Sequence, residues 1–214
     1  MKNKLLEIYE KLFRRYGDLE WWPAETPYEV MVGAILTQNT SWNNVDKALS
    51  QFKGDLTPKR IHQMPEEDLQ TLIRPAGFYK QKAKYLKGIT DWYGSYHWEL
   101  NLVKEQGLKD LRKELLEVKG VGNETADAIL LYALHLPSFV VDTYTMRLFH
   151  RYPIEAGRTY MEVKATVERE IPKDVDLYNQ YHALIVQNGK EHCRKRALCK
   201  GCPLESTCSK IDVF

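Results

Sequence analysis

Apolar residues recur at helical spacing along almost the whole chain, and no segment alternates long enough to make a useful strand. Leu5, Ile8 and Leu12 open the pattern, followed by Val30, Ala34 and Ile35 and then by Val45, Leu49 and Phe52. Leu69-Leu72-Ile73, Leu108-Leu111-Leu115, Ala126-Ile129-Leu130-Ala133 and Tyr181-Leu184-Ile185 continue it. Helix-stopping residues separate these runs: Gly17, Trp22-Pro23, Gly54, Pro58, Gly107, Pro137, Pro172 and Gly201. Ser138-Phe139-Val140-Val141 is too short to found a sheet. The pattern predicts an all-α protein of about ten helices. With 214 residues, 43% of them hydrophobic, the chain is long enough for one large domain or two small ones, and its composition excludes a disordered or collagen-like protein. No internal repeat and no Gly/Ser linker divides it.

The longest uncharged apolar run, around Ala128–Leu134, falls far short of the roughly 20 residues of a membrane helix. The basic amino terminus is followed by no apolar signal region, so the expectation is a soluble, cytoplasmic protein with no membrane partner. Net charge is only +2, but the cations are clustered. Arg74, Lys80, Lys82, Lys84 and Lys87 fall in an acid-free stretch, and Arg194, Lys195, Arg196 and Lys200 form a second group. Two such groups can build a face for a polyanion, or they can simply be solvated helix faces.

All four cysteines lie near the carboxyl end, as Cys193-x5-Cys199-x2-Cys202-x5-Cys208. A disulfide framework would spread cysteines through a small secreted chain. Four thiols in so short a loop point to a metal centre instead. Structural zinc usually takes two short knuckles separated by a longer loop. One Cys-x2-Cys flanked by two five-residue arms can also wrap a cuboidal iron–sulfur cluster. Spacing alone leaves zinc and iron–sulfur open.

The segment from Leu115 to Leu130 reads as helix, glycine turn, helix, with the turn at Lys119-Gly120-Val121-Gly122. Gly120 and Gly122 allow positive φ and close backbone approach. The amides of Val121, Gly122 and Asn123 can then face an anion at the mouth of the second helix. Such a helix-hairpin-helix grips phosphate without reading sequence; the bland alternative is a plain αα-hairpin. About twenty residues on, Asp142 follows the apolar run Phe139-Val140-Val141 at the mouth of another helix. It suits a helix N-cap, a functional carboxylate, or both.

Helix-hairpin-helix, Val141-Asp142-Thr143 and a carboxyl-terminal four-cysteine loop, taken together, resemble the endonuclease III superfamily of base-excision DNA glycosylases. Leu36-Thr37-Gln38-Asn39-Thr40 and Gly77-Phe78-Tyr79-Lys80-Gln81-Lys82-Ala83 match two further segments of that superfamily. The resemblance implies a two-lobed helix-hairpin-helix glycosylase fold: a six-helix barrel over residues 24–131, and a cluster lobe made of residues 1–23 and 132–214. It favours a [4Fe-4S] cluster over zinc on Cys193, Cys199, Cys202 and Cys208, although the first arm is one residue shorter than in endonuclease III. A second departure concerns chemistry. Endonuclease III carries a Schiff-base lysine where this chain has Glu124, and a carboxylate cannot form an imine. The expected enzyme is therefore a monofunctional DNA N-glycosylase without lyase activity, with Lys119 as a phosphate contact.

Trp21-Trp22-Pro23, Trp42, Glu124 and Lys190 are similar to the pocket of the 3-methyladenine DNA glycosylase III branch. That likeness implies an alkylated purine, flipped from damaged double-stranded DNA and stacked between Trp21 and Trp42, with Trp22, Pro23, Glu124 and Lys190 completing the base site. Asp142 would stabilise the oxocarbenium-like sugar, help orient water, or both. Phe78 would be the wedge, Gln38 would fill the gap opposite the orphan base, and Lys119, Gly120, Val121 and Gly122 would hold the backbone of the DNA. A monomer is expected. The alternatives are excision of oxidised pyrimidines with Lys119 or Lys190 as the amine, and a non-catalytic DNA-binding or redox-sensing module.

Overall fold

The structure, a computed structural model, describes residues 1–19 and 21–213. Twelve α-helices and no strand occur among them, against about ten helices expected. They are α1 (Lys2–Tyr16), α2 (Pro27–Leu36), α3 (Trp42–Leu49), α4 (Pro58–Gln63), α5 (Glu66–Leu72) and α6 (Tyr79–Gly94). The series continues with α7 (Leu100–Lys104), α8 (Leu108–Glu117), α9 (Asn123–Ala128), α10 (Thr143–Arg151), α11 (Tyr160–Glu170) and α12 (Val175–Glu191). Short 3₁₀ turns cover Ser50–Phe52 and Arg74–Ala76, and a π-helical turn, Ile129–Ala133, extends α9. No helix among the described residues is long and apolar enough to cross a membrane.

The chain forms two compact units, one of residues 24–136 and one of residues 1–23 with 137–214. In the first, α2 is apolar on every side: Val30, Met31, Val32, Ala34, Ile35 and Leu36 are all buried. A helix without a polar face must lie at the centre of its unit, and α6 and the π-turn pack against it. Thr26 caps α2 by accepting from the amide of Glu29, and Pro27 supplies the first helical position.

A buried fork ties α8 to α9. Arg112 donates from Nε and Nη2 to the two carboxylate oxygens of Asp127, at 2.9 and 3.0 Å, and from Nη2 to Asn123 Oδ1 at 2.8 Å. Asp127 is fully buried, so removing it strips the Arg112 guanidinium of two charge-assisted bonds inside the protein. Asp127→Ala is expected to cost about 3–5 kcal/mol of stability, read from the midpoint of urea denaturation.

In the other unit, Leu5, Ile8 and Leu12 of α1 make one apolar stripe that is packed against α12. Tyr181 donates its hydroxyl to the Leu5 carbonyl at 2.7 Å. Helix α11 begins with a capping box, Thr159 and Glu162 each bonding the other's backbone amide. Gly189 sets the distance between α10 and α12. A methyl group there would run into the ring of Tyr144, so the two helices can close only because position 189 has no side chain.

Candidate functional site

In the unit of residues 24–136, the hairpin runs from the end of α8 at Glu117 to Gly122, the cap of α9. Gly120 has φ +91°, and a Cβ there would strike the ring of Tyr85, so glycine is required twice over. Gly122 differs from the expectation. Its φ of −94° is extended backbone that any residue adopts, and the space around it is open. The Val121 amide also differs, because it donates to the Val118 carbonyl at 3.0 Å and so closes the turn instead of facing outward. Lys119 and Glu124 are both exposed.

Gln38 follows α2 and is half-buried. Its Nε2 donates to Gly120 O at 2.9 Å and Thr125 Oγ1 at 3.0 Å, so its amide is turned onto the hairpin. Phe78 stands 70% exposed at the start of α6, in left-handed backbone at φ 47°. An exposed aromatic held in a conformation that bulky residues avoid marks a surface built to meet something. Trp42 begins α3 and is half-buried. The first basic stretch is not simply a solvated or polyanion-facing group. Lys82 is 2% exposed, and Lys87 bonds the carbonyls of Ile61, His62 and Met64 at the end of α4. Only Arg74, Lys80 and Lys84 of the five cations are exposed.

In the other unit, Asp142 is the N-cap of α10 and 9% exposed. Its Oδ1 accepts from the amide of Thr145 at 2.7 Å and from the Thr145 hydroxyl at 2.9 Å. Its Oδ2 lies 3.6 Å from Nε2 of His182, on α12. Burial pushes the carboxyl of Asp142 up, but the nearby His182 imidazole and the two Thr145 donors outweigh it and hold the group below its ordinary value. Asp142 is therefore an ionised, nearly dry carboxylate with one oxygen anchored and the other facing an imidazole.

His182 also meets Trp21 edge-on, with ring centroids 6.3 Å apart, and Lys190 Nζ sits 5.2 Å from the centre of the Trp21 ring. Asp142, His182, Trp21 and Lys190 thus form one continuous group of side chains. Nε1 of Trp21 is buried with no hydrogen-bond partner among the described residues. Trp22 is half-buried with φ 64°, and Pro23 is exposed. Sequence reasoning misses His182. The only signal it leaves is one polar residue within the buried run Tyr181–Val186, a pattern that usually means a satisfied core histidine.

The four cysteines line a single cavity of this unit, walled by Leu148, Ala197 and Leu204. Among the described residues no three or more His, Cys, Asp or Glu side chains are gathered so as to hold a metal ion. Burial and the neighbouring thiols push Cys202 and Cys208 above the ordinary thiol value. Two arginines of α10 grip the loop. Arg147 donates to Cys193 O at 2.8 Å, and Arg151 reaches Cys193 Sγ at 3.5 Å and the carbonyls of Arg194 and Lys195. The cations Arg194, Lys195, Arg196 and Lys200 are all exposed.

Known proteins resemble the chain over most of its length. A protein of Methanocaldococcus jannaschii, provisionally named a DNA repair glycosylase, is 49% identical over 211 residues, covering 95% of each chain. The crystal structure of the Helicobacter pylori 3-methyladenine DNA glycosylase bound to 1,N6-ethenoadenine is 29% identical, with a TM-score of 0.76 over 89% of this chain and 97% of that one. A trapped endonuclease III–DNA covalent intermediate shares the fold, with a TM-score of 0.81 over 98% of this chain and 96% of that one, at 22% identity. The family model for HhH-GPD superfamily base excision DNA repair proteins matches residues 32–173, which contain both the hairpin and Asp142. The all-helical chain is a DNA glycosylase and belongs to the HhH-GPD superfamily of base excision DNA repair proteins.

Proposed function

We propose that the protein hydrolyses the N-glycosidic bond of alkylated purines such as 3-methyladenine in damaged double-stranded DNA, with water and not an amine as the nucleophile. The observation that carries this reading is the ionised, buried Asp142 in one side-chain group with the Trp21 indole. Alkylation at a purine ring nitrogen already weakens the glycosidic bond, so little protonation of the leaving group is needed. What remains is to stabilise a cationic sugar, which a desolvated carboxylate does well. An electron-rich indole favours an electron-poor base, with cation–π contacts contributing about 0.5–2 kcal/mol and stacking about 1–3 kcal/mol. The base must first leave the duplex. In this reading Trp22 and Pro23 border the base beside Trp21, and Phe78 and Gln38 enter the duplex.

A second reading has one observation in its favour: the amine of Lys190 lies beside Trp21, in the same group as Asp142. An amine there could serve a lyase acting on oxidised pyrimidines. Borohydride trapping on damaged duplexes separates the two. The hydrolytic reading predicts free base and no covalent protein–DNA product, whereas a trapped adduct would overturn it.

We infer further that Cys193, Cys199, Cys202 and Cys208 hold a [4Fe-4S] cluster that orders the surrounding basic loop. Four soft thiol donors around one partly apolar cavity suit it. Lys119, exposed beside the hairpin, is assigned to a phosphate. Lys119→Ala should weaken binding to any duplex and flatten the dependence of log K on log salt by about 0.9, measured by fluorescence anisotropy across a salt series. The reading takes the protein as a monomer.

A further inference from the structure

Among the described residues, Lys82 is a buried cation with no carboxylate against it. Its Nζ donates to the carbonyl of Leu36 at 2.8 Å and to that of Ala76 at 2.9 Å. Both acceptors are the last residues of helical segments, Leu36 of α2 and Ala76 of the 3₁₀ turn, where free carbonyls and the negative end of the dipole favour a cation. Each acceptor lies two residues before a residue assigned to the duplex: Gln38 after Leu36, Phe78 after Ala76. Lys82 itself stands in the first turn of α6, where its amide donates to the Phe78 carbonyl at 2.9 Å. Gln38 in turn bonds Gly120 and Thr125, so the hairpin joins the same chain of contacts.

We propose that Lys82 is a positioning residue that locks the Gln38 and Phe78 loops together before DNA arrives. This rests on the reading above, in which those two loops enter the duplex. Burying an unpaired ammonium is costly, and burial alone brings Lys82 down to about 8. An apolar residue of the same length would avoid that cost but leave the Leu36 and Ala76 carbonyls without their donor, so what the lysine adds is the tie between two helix ends and not filled space. That tie holds Phe78 in left-handed backbone, exposed and ready.

The test compares Lys82→Met, Phe78→Ala and the unaltered full-length protein on two duplexes, one intact and one carrying a tetrahydrofuran abasic analogue. The wedge matters only where a base has left the stack. Lys82→Met should therefore lower affinity for the abasic duplex by about tenfold or more, leave affinity for the intact duplex unchanged, and keep the salt slope. A phosphate-contacting lysine would lose slope on both duplexes, and a purely structural one would lower both affinities together. Either pattern, or no effect at all, overturns the proposal. If Phe78→Ala leaves abasic binding intact, it is the insertion reading that fails, and not the clamp itself. Should Lys82→Met not fold, NMR of the unaltered protein decides. Through-hydrogen-bond couplings from Lys82 Nζ to the Leu36 and Ala76 carbonyl carbons are expected, and their absence overturns the clamp.

Discussion

Asp142→Asn is expected to slow base release from alkylated duplex by about 10²–10³-fold or more, with the fold intact. The carboxylate is poised for charge stabilisation because it is nearly dry, ionised and held at Oδ1 by two Thr145 donors. Asparagine keeps an oxygen for those donors and is as good an N-cap, so the stability cost should stay below about 1 kcal/mol. The charge is lost, and the oxygen that faces His182 becomes an amide donor. Single-turnover release with saturating enzyme, with thermal melting as the control, checks both parts, and an unchanged rate would remove Asp142 from the chemistry.

His182 gives that prediction a pH dependence. It is the largest of the influences that hold the Asp142 carboxyl down, and they act against a burial that pushes the group up. His182→Ala removes the restraint and leaves the burial. The acid limb of the rate profile should then move to higher pH, because Asp142 takes up its proton sooner as pH falls. The stability consequence has the same sign. A carboxyl depressed in the native state contributes stability that is present above its unfolded value and lost as pH falls through the native one. The stability gap between the unaltered protein and Asp142→Asn should therefore close in acid.

Cys202→Ser carries the second large effect. If the four thiols hold a cluster, losing one ligand should bleach the visible thiolate-to-iron absorption and loosen the loop that carries Arg194, Lys195, Arg196 and Lys200. Losing several ordered cations should weaken duplex binding by about ten- to a hundredfold at low salt. Base release by the bound fraction should slow much less. Anisotropy and single-turnover kinetics separate the two quantities. A variant that binds normally and fails in chemistry would contradict a structural role and point to redox involvement.

How much of this is legible in the sequence varies with the physics behind each feature. Helices α1, α8 and α12 show because two turns or more put apolar residues on one face. Helix α5 still leaves the trace Leu69-Leu72-Ile73, but α4 and α7, of six and five residues, are too short to display a period. Gly120 is legible because positive φ leaves a mark on residue choice, whereas the inward turn of the Val121 amide leaves none. A charge run records composition and not direction, so nothing separates Lys82 and Lys87, which bond carbonyls, from exposed Lys80 and Lys84. His182 on α12 meets Asp142 across the packing of α10 on α12 and meets Trp21 from the segment after α1, and no local pattern encodes such a meeting.

The most direct test of the central claim is a defined-lesion panel in duplex DNA, with the released base identified by mass spectrometry. The account predicts free alkylated purine, 3-methyladenine among them, from the unaltered protein and almost none from Asp142→Asn. Release of oxidised pyrimidines alone, or alkylated purine leaving at equal rates from both proteins, would contradict it.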